Sequence, residues 1–70
     1  MFVRDWILVR EDTGAPVVPG DMVCSFRGES RVLAGGHPPR HSASTGRVWV
    51  EGQVTEYFPG VFGLQWRACA

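Results

Sequence analysis

The sequence predicts an all-β fold: one small closed barrel of five to six short antiparallel strands, with a single 3₁₀ turn before the last strand. Three observations carry this. Short apolar runs recur at regular spacing between Gly- and Pro-containing turns. No run has the capped 3.6-residue periodicity of an amphipathic helix. Finally, Tyr57-Phe58-Pro59-Gly60-Val61-Phe62-Gly63-Leu64 leads an apolar pair into Pro-Gly, then one more turn, then an apolar strand. A barrel is preferred to an open sheet in so short a chain because closure removes exposed strand edges.

Taken in order, residues 1–10 form the first strand. Phe2 to Arg10 is rich in β-branched and aromatic residues, no cap precedes it, and the only polar pair is Arg4-Asp5. Trp6/Leu8 and Ile7/Val9 are both apolar, so either both faces are covered or the strand adds to a partner. Residues 11–20 are a connector, because Asp12-Thr13-Gly14 signals a turn and Pro16 and Pro19 cannot donate to a ladder. Met22 to Phe26 is the next strand, with Met22, Cys24 and Phe26 on one face and Val23 and Ser25 on the other. Arg27-Gly28-Glu29-Ser30 turns the chain, and Arg31 to Gly35 answers antiparallel.

Residues 36–45, Gly-His-Pro-Pro-Arg-His-Ser-Ala-Ser-Thr, form a long Pro-rich loop. Two prolines hold it extended, and loops of this length in small domains are often functional. Arg47 to Glu51 alternates, with Val48 and Val50 inward and Arg47, Trp49 and Glu51 outward. Gly52-Gln53 is a tight turn, after which Val54 to Phe58 returns as a strand. Leu64 to Arg67 closes the sheet. The expected core is Val23, Phe26, Leu33, Val48, Val50, Val61 and Leu64.

Seventy residues make a single domain, 1–70, with a modest core. Seven arginines balance seven acidic residues, which argues against a general nucleic-acid binder needing a basic face. Lys and Asn are absent and Ile occurs once, the codon bias of a GC-rich genome. Every cation is therefore a planar fork suited to carboxylates and aromatic faces. Met1-Phe2-Val3-Arg4-Asp5 lacks the pattern of a secretory signal, and no stretch is long enough to span a membrane. Cytoplasmic residence with free Cys24 and Cys69 thiols is the expectation.

Two short motifs bear a resemblance. Pro19-Gly20-Asp21-Met22-Val23 resembles the Gly-Asp-x-Val strand start of SH3-like and KOW-like barrels. Phe58-Pro59-Gly60-Val61-Phe62-Gly63-Leu64 resembles the turn before the final strand of SH3 domains. The acidic loop and paired tyrosines of the SH3 peptide groove have no counterpart, so Pro-rich peptide binding is not implied. Ser25-Phe26-Arg27-Gly28-Glu29, Pro38-Pro39-Arg40-His41, Ser44 to Val50 and Tyr57-Phe58-Pro59 together resemble small uncharacterised proteins of bacteriophages of GC-rich, actinobacterial-type hosts. That resemblance covers most of residues 11–66 and implies a phage protein acting in the host cytoplasm, without supplying an activity.

No residue set points to catalysis or a cofactor. His37 and His41 flank Pro38-Pro39 and lack further ligands at metal-binding spacing. Cys24, on the Met22/Phe26 face, reads as a buried inert thiol with no orienting group for nucleophilic chemistry. Arg27, Glu29 and Arg31 read as surface charge pairing. Trp6, Tyr57 and Trp66 read as core or barrel-end residues. An outward Trp49 beside arginines is a candidate anchor, since Trp and Arg dominate binding hot spots. The expected function is a non-enzymatic protein-binding module engaging a host protein through Trp49, Arg47, Arg40, His41 and Pro39, with Arg27 beside them. The alternatives are a KOW-like nucleic-acid-associated barrel and a self-assembling or virion component that pairs through its first strand.

Overall fold

A computed structural model describes residues 1–41 and 43–69. Six strands are present: β1 (Phe2–Val3), β2 (Trp6–Arg10), β3 (Met22–Cys24), β4 (Ser30–His37), β5 (Arg47–Val50) and β6 (Leu64–Ala68). A 3₁₀ turn at Pro59–Phe62 precedes β6, and there is no α-helix among the described residues. The strands form two antiparallel three-stranded sheets, ordered β1-β2-β6 and β3-β4-β5. The chain is all-β, but the two ladders do not join into a closed barrel. They meet through one core of Leu8, Val17, Val23, Leu33, Val48, Val50, Phe62, Leu64 and Trp66. Burying each Leu or Val there is worth about 1.5–3 kcal/mol.

The expected first strand is two strands. The polar pair Arg4-Asp5 forms the turn of a hairpin in which Phe2 faces Ile7 and Val3 faces Trp6, and Arg4 takes a φ of 56°. β2 needs no second chain to cover its edges. β6 pairs along its whole length on one side. On the other, the Leu8 amide donates to the Met1 carbonyl at 2.9 Å, the Val17 amide to Leu8 at 3.1 Å, and the Arg10 amide to Ala15 at 2.8 Å. The connector is thereby drawn onto the sheet, and Val17 becomes a fully buried core residue that its flanking prolines concealed.

In β3 the alternation holds: Val23 is buried, as expected, whereas Met22 and Cys24 on the opposite face are exposed. Cys24 is therefore not a buried thiol. Phe26 is not a core residue and stands 75% exposed. It continues the exposed face of Met22 and Cys24, and the turn around it is held by Ser25, whose Oγ accepts from the Arg27 and Glu29 amides at 3.3 and 3.2 Å while its own amide donates to the Glu29 carbonyl at 2.8 Å. Val61, also expected in the core, packs against it half-buried.

β4 runs on to His37, past the expected end at Gly35. It carries a bulge: Leu33 pairs with Val50 and Gly35 with Trp49, leaving Ala34 as the extra residue. The Trp49 indole lies on Gly35, where a Cβ would come within 2.8 Å of its Nε1, so Trp49 is half-buried on its own sheet. The expected strand over Val54–Phe58 does not form. Only Tyr57 bridges back, exchanging hydrogen bonds with Val48 at 2.7 and 2.9 Å. Val54, Thr55 and Glu56 are exposed, and Tyr57 alone has an apolar surface to bury, edge-on to Phe62 at 5.4 Å.

Candidate binding groove

The Pro-rich loop and the last strand meet around an open groove of about 900 Å³. Its apolar surface comes from Trp6 on β2, Phe58 and Pro59 at the 3₁₀ turn, Leu64 and Trp66 on β6, and Pro39 of the loop. Arg40, Arg47 and Glu11 supply its charge, and His41 adds an imidazole. Part of the expected 36–45 loop, Ser42, lies outside the described residues.

Local sequence explains each wall. Phe58 is extended (φ −64°, ψ 139°), as a residue before proline prefers. Pro59 then opens the 3₁₀ turn, and Gly63 ends it in the left-handed region at φ 65°. Phe58 is left 58% exposed on the rim. Across from it the Ser44 amide donates to the His41 carbonyl at 3.0 Å, and the Gly46 amide to Ser44 Oγ at 3.1 Å. These bonds return the chain to β5.

Gly36 and Gly46 seat the Trp66 indole. A Cβ on Gly46, where φ is 75°, would stand 2.5 Å from Trp66 Cδ1 and 2.6 Å from the His37 carbonyl oxygen; one on Gly36 would stand 3.2 Å from Trp66 Cζ2. Trp66 Nε1 donates to the Arg47 carbonyl at 3.4 Å, tying the two sheets together beneath the groove.

Arg47 is held in place. Its guanidinium lies 4.3 Å from the Phe58 ring centroid, and Nη1 donates to the Gly46 carbonyl at 2.8 Å. The ion pairs among the described residues are Arg31–Glu29 at 3.2 Å and His37–Glu56 at 3.6 Å, so neither Arg40 nor Arg47 has a carboxylate partner there. The groove's one carboxylate, Glu11, stands near Gly60, with Oε1 4.0 Å from the position of a Cβ there.

Of the residues expected to form one surface, the groove gathers Pro39, Arg40, His41 and Arg47. Trp49 is not among its lining; its ring lies 6.3 Å from that of His37. Arg27 is at the β3–β4 turn, 5.5 Å from the Phe26 ring, beside a second depression with Tyr57, Val61 and Phe62. Sequence reasoning passed over Phe58, Trp6 and Trp66 as site residues. An aromatic immediately before the Pro-Gly turn was the available signal for Phe58, which stands 58% exposed. Among the described residues no three His, Cys, Asp or Glu side chains converge as metal ligands would. No described helix is long and apolar enough to cross a membrane.

No family model matches this chain, and neither a curated protein nor a solved structure does.

Proposed function

We propose that this is a non-enzymatic protein-binding module, encoded by a bacteriophage and engaging a host bacterial protein in the host cytoplasm. The observation that carries the reading is the groove itself: exposed Phe58, half-buried Trp6 and buried Trp66 lie beside Arg40 and Arg47. Aromatic residues with arginine are the usual composition of the energetic centre of a protein interface. The phage and host assignments rest on the sequence resemblance alone.

We further propose that the architecture is a variant of the SH3-like barrel. Its support is the chain order. The first long strand pairs with the last, the three strands between them form the second sheet, and a 3₁₀ turn precedes the last strand. The 38–46 connection would then be an expanded loop.

Nucleic-acid association draws less support, because Arg27, Arg31, Arg40 and Arg47 are divided between two places. Arg27 and Arg31 sit at the β3–β4 turn, with Arg31 paired to Glu29, and the groove that holds Arg40 and Arg47 also holds Glu11. Self-assembly through the first strand loses its motive, because β2 is paired on both edges within the chain.

The test is affinity capture of the tagged protein from a GC-rich bacterial host, with and without nuclease, repeated with Phe58→Ala. A nuclease-resistant host protein that Phe58→Ala no longer retains is the expected result. Capture abolished by nuclease, or unaffected by Phe58→Ala, refutes the reading.

A further inference from the structure

We infer that the groove takes an extended acidic peptide segment of the partner, with apolar side chains against Trp6, Phe58 and Trp66 and carboxylates toward Arg40 and Arg47. This rests on the binding-module reading above and adds the chemistry of the bound segment.

Charge complementarity carries the inference. Arg40 and Arg47 border an aromatic surface and have no carboxylate partner among the described residues. Glu11, the one acid of the lining, stands at the Gly60 side, whereas Arg47 lies over Phe58. Arg47 is also pre-positioned. Its place over the Phe58 ring, 4.3 Å from the centroid, and the 2.8 Å bond to the Gly46 carbonyl hold it there, yet that bond uses one of its N–H groups and leaves the others free. A fixed guanidinium fork is the preferred receptor for a carboxylate, and little side-chain freedom remains to be lost on binding.

An extended segment is favoured over a helix by what forms the walls. The groove is bounded by a Pro-rich loop, a 3₁₀ turn and a strand, with no long helical surface for a second helix to pack along. A single-stranded nucleic acid could use the aromatic faces, but it needs a track of cations along its backbone, and two arginines do not provide one.

The experiment is selection of a displayed random twelve-residue peptide library on the folded full chain, followed by titration of the enriched peptides. The tryptophan emission of Trp6 and Trp66 and the amide spectrum provide the readouts. Enriched peptides are expected to carry Asp or Glu well above the library frequency and to shift the signals of Trp6, Gln65 and Trp66. Arg40→Gln, on an exposed loop, is expected to weaken them about ten-fold, as loss of one charge-assisted contact implies. Arg47→Gln should do the same or more, and Arg47→Lys should restore part of the loss if charge is what matters.

Enriched peptides that bind the groove but are neutral or basic, or that ignore Arg40→Gln, overturn the acidic assignment while leaving the binding module standing. Absence of any groove-binding peptide, with groove signals shifted instead by a thymidine oligonucleotide, overturns both.

Discussion

Replacing Gly46 with alanine strikes the joint between the two sheets. The added methyl would meet the Trp66 ring at 2.5 Å and the His37 carbonyl at 2.6 Å, and neither can yield freely, since one is a buried indole and the other is backbone. The residue also holds φ at 75°, which costs an L-residue about 1–2 kcal/mol. Overpacking adds about 1–3 kcal/mol. Loss of glycine's freedom in the unfolded chain returns about 0.4–1 kcal/mol, leaving a net destabilisation of about 1–5 kcal/mol. Gly52 is the internal control. Its φ is 83° but a Cβ there meets nothing within 4 Å, so Gly52→Ala should cost only about 1 kcal/mol. Urea unfolding followed by tryptophan fluorescence measures the difference. With a slope of about 1 kcal/mol per M, Gly46→Ala should unfold at least about 1 M earlier than Gly52→Ala. Equal midpoints for the two variants would refute the seating of Trp66 against Gly46.

Other outcomes follow from the core and its margins. Leu33→Ala, which empties a fully buried site, should cost about 2–5 kcal/mol, whereas Phe26→Ser should change stability by less than about 0.5 kcal/mol; comparable losses for both would restore Phe26 to the core. Cys24 should react with a maleimide in the native protein at nearly the rate seen in urea, and strong native protection would contradict its exposed position on β3. Arg31→Ala should lower stability by less than about 1 kcal/mol and only at low salt, since its pair with Glu29 is exposed; a larger, salt-independent loss would argue for a structural role.

The strands whose apolar residues alternate against a clear polar face were legible in the sequence. Val48 and Val50 point inward as their spacing required, and the Pro-Gly turn stands where Tyr57 to Leu64 placed it. Legibility failed where backbone hydrogen bonds or tertiary packing decide. Both faces of β3 carry apolar residues, and only the packing of Val23 into the shared core decides that Met22, Cys24 and Phe26 face outward. Val17 lies between prolines that read as connector, but backbone bonds to β2 fold it inward. Val54 to Glu56 has strand-forming residues but no partner to bury them against. For the groove, the Arg and Pro residues of the loop were visible as candidates. Their aromatic neighbours were not, because Trp6 and Trp66 are separated from the loop by long stretches of chain and meet it only through the sheet order. Trp49 misled in the opposite direction: its outward register is real, but the bulge and the glycine opposite give it a seat on its own sheet.

The most direct measurement is the amide and indole spectrum of the isotope-labelled protein, recorded with and without the nuclease-resistant partner captured from host extract. The account predicts shifts concentrated at Trp6, Arg40, Arg47, Phe58, Gln65 and Trp66, with Gly52 and Val54 unmoved. Shifts centred instead on Phe26, Arg27 and Val61, or a spectrum that the partner leaves unchanged, would contradict it.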